Sequence, residues 1–137
     1  MSSSTKKTYV FKEKSWEPIV EIEGETLIYR MPVACGHFDK SFSFRLDPAE
    51  FEVLKADEER RYFLYALLHS QYQSKQMTAS LLTDESFQKV LLDDENAVEK
   101  LLSTQDEASN RAVSNLVRIL MKRDQQLMIA GIWFAER

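Results

Sequence analysis

The sequence predicts an α+β domain in which amino-terminal antiparallel strands precede a helical half packed on one face of the sheet. Three observations carry this. All three prolines (Pro18, Pro32 and Pro48) lie in the first third of the 137 residues, and proline is poorly tolerated inside helices. Ser41–Leu46 alternates strictly, with Phe42, Phe44 and Leu46 set against Ser41, Ser43 and Arg45, the period of a half-buried strand. Beyond Asp47-Pro48 the apolar residues instead recur at helical spacing, as on the buried stripe of an amphipathic helix.

Taken in order, residues 1–7 are polar and read as a disordered tail, with 8–137 forming a single domain. Thr8–Glu13 is rich in residues that suit a pleated surface. Ile19–Ile22 and Thr26–Met31 flank Glu23-Gly24-Glu25, where glycine supplies the positive φ of a tight hairpin. Asp47, Pro48 and Glu50 stand at the cap, first and third positions of a helix reaching about Ala56, the arrangement of a capping box. Leu64, Leu67, Leu68 and Tyr72 place a buried stripe on a second helix from Glu58 to Tyr72. Leucine pairs at 81–82, 91–92 and 101–102, each followed by a capping residue and acid, mark helix ends and acidic first turns. Val113, Leu116, Val117, Leu120 and Met121 define a further amphipathic helix. Gly131 and the Ile/Trp/Phe content of Leu127–Phe134 predict a strand that closes the fold.

Composition removes several functions at once. Cys35 is the sole cysteine, so no internal disulfide forms, and a stapled secreted scaffold is excluded. The three glycines (Gly24, Gly36 and Gly131) lie far apart, whereas phosphate-cradling loops cluster theirs within a few residues. No apolar h-region follows Met1–Lys7, and the longest mostly apolar run, Leu127–Ala135, falls well short of the ~20 residues a membrane helix needs. These features predict a cytoplasmic protein that neither enters a membrane nor, with a net charge of −4, binds nucleic acid directly.

The charge is unevenly placed. Residues 83–107 carry Asp84, Glu85, Asp93, Asp94, Glu95, Glu99, Asp106 and Glu107 against Lys89 and Lys100 alone, a balance of −6, whereas residues 108–137 carry +3. Helix capping and solubility account for such a run when it is merely a solvated face. The functional reading is an acidic docking surface that attracts a basic protein and disfavours wrong partners. Asp84, Glu85, Asp93, Asp94, Glu95 and Glu99 are its candidate contacts.

Other constellations have weaker chemistry. Cys35, His37 and Asp39 alternate and would share one face of a strand, which superficially suits a metal or a Cys–His nucleophile. Gly36 and Pro32 fit a turn there as well, and the sequence offers only one other histidine, His69. Arg61, Tyr65, His69 and Tyr72 fall at helical spacing, a face able to contact RNA or perform acid–base work, or simply the wet border of a buried stripe. Asp93-Asp94-Glu95-Asn96 lacks the central glycine and twelfth-position glutamate of a calcium loop. No HExxH or GxSxG motif occurs, and no metal or cofactor is expected.

The Ser41–Leu46 strand feeding Asp47-Pro48, the Tyr62–His69 helix and the acidic 83–107 segment together resemble the build of small bacterial immunity proteins. That resemblance implies a non-catalytic inhibitor which neutralises a toxin domain, such as a nuclease, by covering its active site or substrate groove. Two alternatives remain open: a small enzyme or nucleic-acid effector using Arg61, Tyr65 and His69, and a structural adaptor whose exposed strand pairs with another chain.

Overall fold

The computed structural model describes residues 6–10, 19–35, 38–72 and 85–135. Four antiparallel strands, β1 (Lys6–Val10), β2 (Ile19–Glu23), β3 (Thr26–Cys35) and β4 (Phe38–Leu46), lie side by side in chain order. Among the described residues six helices follow: α1 (Pro48–Ala56), α2 (Glu58–Tyr72), α3 (Ser86–Leu92), α4 (Glu95–Ala108), α5 (Ala112–Met121) and α6 (Gln125–Ile129). The chain is an α+β domain, as its two halves predict.

The hairpin between β2 and β3 turns at Gly24, whose φ of +62 favours glycine. Register then aligns one face across the sheet: Val20 opposite Tyr29 opposite Phe44, Leu27 opposite Leu46, and Met31 opposite Phe42. All seven are buried. β3 runs four residues past its expected end, through Pro32 to Cys35. Pro32 lies beyond Arg30, the last residue paired with β2, and a strand tolerates proline where a neighbour has ended. β1 begins at Lys6, paired with Glu23, so Lys6 and Lys7 belong to the sheet and not to a disordered tail. Residues 1–5 lie outside the described residues, as do 11–13 of the expected first strand.

The helices cover this face. Phe87 of α3 stands edge-on to Tyr29 at 5.1 Å and lies 5.2 Å from Phe44, while Tyr72 of α2 meets Phe42 and Phe44 at 5.1 and 5.2 Å. At the start of α1 the backbone N–H of Asp47 donates to Oε1 of Glu50 at 2.9 Å, one arm of the capping box. Burial raises the Glu50 pKa above its ordinary value, an effect its bond to the Asp47 backbone opposes.

α2 departs from the amphipathic expectation. Every residue from Tyr62 to Leu68 is buried, so this helix is apolar all round at its middle and serves as the hub of the helical half. Complete burial of each large side chain there contributes about 1.5–3 kcal/mol. Between α4 and α5 the chain turns through Asn110 and Arg111, both at positive φ. The fully buried Asp106 carboxylate steadies that turn, accepting from the Ser114 backbone N–H at 2.7 Å and from Arg111 at 3.3 Å.

The expected closing strand does not form. Gln125–Ile129 is helical, and Gly131, at φ +98, ends the helix. Its N–H donates to the Met128 carbonyl and that of Ile132 to the Leu127 carbonyl, at 2.9 and 2.8 Å, the pairing of a Schellman motif with glycine at its left-handed position. Leu127 and Ile132, exposed side chains lining one hollow, are the two positions whose apolar contact accompanies that motif. The chain then runs on as an irregular strap, Ile132–Ala135. Trp133 and Phe134 are buried among helices, not beside a strand: Phe63 of α2 meets their rings at 5.9 and 5.1 Å. Their apolar content reflects this burial and not sheet pairing. Replacing Gly131 with alanine meets no atom within 4 Å of the added Cβ, so the cost is conformational, about 1–2 kcal/mol. Urea denaturation of Gly131→Ala measures it; an unchanged midpoint contradicts this account of the turn.

Candidate functional site

Three exposed acidic residues, Asp93, Asp94 and Glu95, meet at the corner where α3 ends and α4 begins. Asp93 caps the C-terminus of α3, and Asp94 caps the N-terminus of α4, its Oδ1 accepting from the Ala97 N–H at 2.9 Å. Glu95 occupies the first turn of α4, where a carboxylate complements the helix dipole. Residues 92–97 are exposed without interruption. This exposed run therefore presents Asp93, Asp94 and Glu95 beside Leu92, an apolar side chain 43% exposed.

A cation fixes the corner from beneath. Arg60 of α2 donates through Nη1 to the carbonyls of Val90 and Asp93, at 3.0 and 2.7 Å, and its Nε lies 3.4 Å from Asp57. These are terminal carbonyls of α3, which lack helical partners and carry the negative end of its dipole. Arg60 thus holds the helix end in place while Asp57 offsets its charge. Arg60, Asp94, Glu95 and Asn96 line a shallow open hollow beside it. Sequence reasoning passed over Arg60, whose carbonyl partners lie 30 and 33 residues away.

The remaining acids divide. Glu85 is exposed but paired with Lys89 at 2.8 Å, and at 1.5 Å per residue it stands roughly 12 Å from Asp93 along α3. That exceeds the ~8 Å screening length at physiological ionic strength, so Glu85 adds little to the field at the corner. Asp84 lies outside the described residues. Glu99 corrects the expectation of a surface contact: it is only 5% exposed. One Glu99 oxygen accepts from the Trp133 and Phe134 backbone N–H groups at 2.8 and 3.1 Å. Val98, Glu99, Leu102 and Asp106 form the buried side of α4. The apolar neighbours Val98 and Leu102 were the available signal, since they place Glu99 on the same side as the core.

No protein family, characterised protein or solved structure matches the chain.

The second constellation is absorbed by the fold. Tyr65 is 3% exposed. Tyr72 packs on β4, and Arg61 donates to the Leu54 carbonyl at 2.9 Å. His69 is half-buried, 5.7 Å from the Tyr65 ring. These side chains therefore do not form one solvent-facing row.

Burial lowers the His69 pKa from its ordinary 6.5. On acidification the unfolded chain binds that proton first, so the stability linked to His69 is complete above about pH 6.5 and declines below it. His69→Gln is expected to flatten the dependence of the melting temperature on pH below that point. An identical slope in the variant contradicts this assignment.

In the Cys35, His37 and Asp39 segment, Cys35 pairs with Phe38 and Asp39 with Ala34. His37 lies outside the described residues. Among the described residues, no three His, Cys, Asp or Glu side chains gather as a metal-ligand group, and no helix is long and apolar enough to cross a membrane.

Proposed function

We propose that this chain is a non-catalytic, protein-binding module of the immunity type. It acts in the cytoplasm by docking an acidic surface over the basic active site or substrate groove of a toxin domain, a nuclease being the partner of matching charge. The observation that carries this reading is the uninterrupted exposed run 92–97, with Asp93, Asp94 and Glu95 grouped beside Leu92.

Such a corner suits recognition of a cationic protein for three reasons. The three carboxylates steer a basic surface toward it and repel acidic competitors. Leu92 offers apolar contact area beside the charges, and burying it strengthens an interface. Arg60 and the Asp94 cap hold both helix ends before binding, which reduces the ordering cost of association.

Asp93→Lys with Glu95→Lys tests the reading, since Asp94 is left to cap α4. At low salt the wild-type chain, used as bait in extract of its source cell, is expected to retain a basic protein, and the double variant to lose it. Retention is expected to weaken as salt rises, because exposed charges are screened. An acidic partner, or one retained equally by the double variant at high salt, contradicts the reading.

A further inference from the structure

We propose that the cleft between α2 and α4 is a peptide-recognition groove, filled in cis by Ile132–Ala135, and that a second copy of this chain fills it in trans with the same segment. The groove reads a non-helical peptide through side chains alone. Three consecutive backbone N–H groups are accepted by carboxylates: Trp133 and Phe134 by Glu99, and Ala135 by Glu59 at 2.7 Å. Arg123 donates to the Trp133 carbonyl at 2.9 Å and to Glu59 at 2.6 Å. The indole Nε1 donates to Ser103 at 3.0 Å, and Phe63 supplies an edge-on ring to both aromatics. Arg60 lies over the Phe134 ring at 5.4 Å.

None of these contacts depends on which chain supplies the strap. An emptied groove takes two hydrogen-bond donors from the buried Glu99 carboxylate, and each buried hydrogen bond lost is costly. Refilling the groove calls for adjacent large aromatics on a non-helical backbone with free N–H groups. The sequence holds two adjacent aromatic pairs, Tyr62-Phe63 and Trp133-Phe134, and the first is locked inside α2. Within this sequence the matching occupant is therefore the same strap, supplied by another copy. Exchange of an identical element costs little, because both forms make the same contacts. The balance lies between the tight turn at Gly131, φ +98, and the high effective concentration of the attached strap.

The test uses the full chain carrying Trp133→Ala and Phe134→Ala, together with a capped synthetic peptide spanning Gly131–Ala135. The peptide is expected to bind saturably and to raise the thermal midpoint, or to restore the helical circular-dichroism signal if the double variant is unfolded alone. A peptide with alanine at both aromatic positions is expected to do neither, and adding Glu99→Ala to the variant is expected to weaken binding by about tenfold or more. Failure of the native peptide to bind or to restore structure overturns the groove. For the trans occupant, Gly131→Val strains the cis turn, and sedimentation is expected to show a larger dimer fraction than wild type at equal concentration. A variant no more dimeric than wild type overturns exchange between copies.

Discussion

Trp133→Ala is expected to lower the unfolding free energy by about 3–5 kcal/mol, the range for emptying a large aromatic site in a core. Trp133 is 1% exposed, meets Phe63 edge-on, and satisfies its indole N–H on Ser103. The strap has no helical or strand pairing to hold it once the ring is gone, so its remaining contacts weaken with the cavity. For a chain of this size the loss corresponds to a fall in melting temperature of roughly 10–20 °C. Differential scanning calorimetry measures it. A fall of only a few degrees shows that the strap contributes little to the folded state, contrary to its assignment as part of the core.

Glu99→Ala has the next largest effect, about 2–5 kcal/mol, because it leaves two buried backbone N–H groups without their acceptor. Glu99→Gln retains a carbonyl oxygen for those donors and is expected to lose less. Glu95→Ala, one turn earlier on α4 but exposed, is expected to fall within the few tenths to 1 kcal/mol of a carboxylate at a helix N-terminus, about 0.3–1 kcal/mol. Chemical denaturation of the three variants is the check. Equal losses for Glu99→Ala and Glu95→Ala contradict the division of the acidic segment into a buried and an exposed part.

That division marks how far the sequence could be read. Period-two alternation in Ser41–Leu46 and the Asp47-Pro48-Glu50 cap are local signals, set by neighbours within a few residues, and both correspond to elements of the fold. The expectation for Glu99 rested on charge alone, and its donors lie 34 and 35 residues further along the chain. Trp133 and Phe134 illustrate the same point. Aromatic content suits a strand, but Gly131 ends α6 and their N–H groups go to a carboxylate instead of a sheet edge. The continuous burial of Tyr62–Leu68 was likewise hidden, since helical spacing shows a stripe but not how many elements surround it. The exposure of Asp93, Asp94 and Glu95 was legible because capping residues at adjacent helix ends stay near the surface.

The association rate of the captured basic partner, followed against ionic strength for wild type and for Asp93→Lys with Glu95→Lys, tests most directly whether the α3–α4 corner attracts it. At low salt the wild-type rate is expected to exceed the variant's by about tenfold or more, with the two curves converging as salt rises. Curves that coincide throughout contradict a role for the corner in binding.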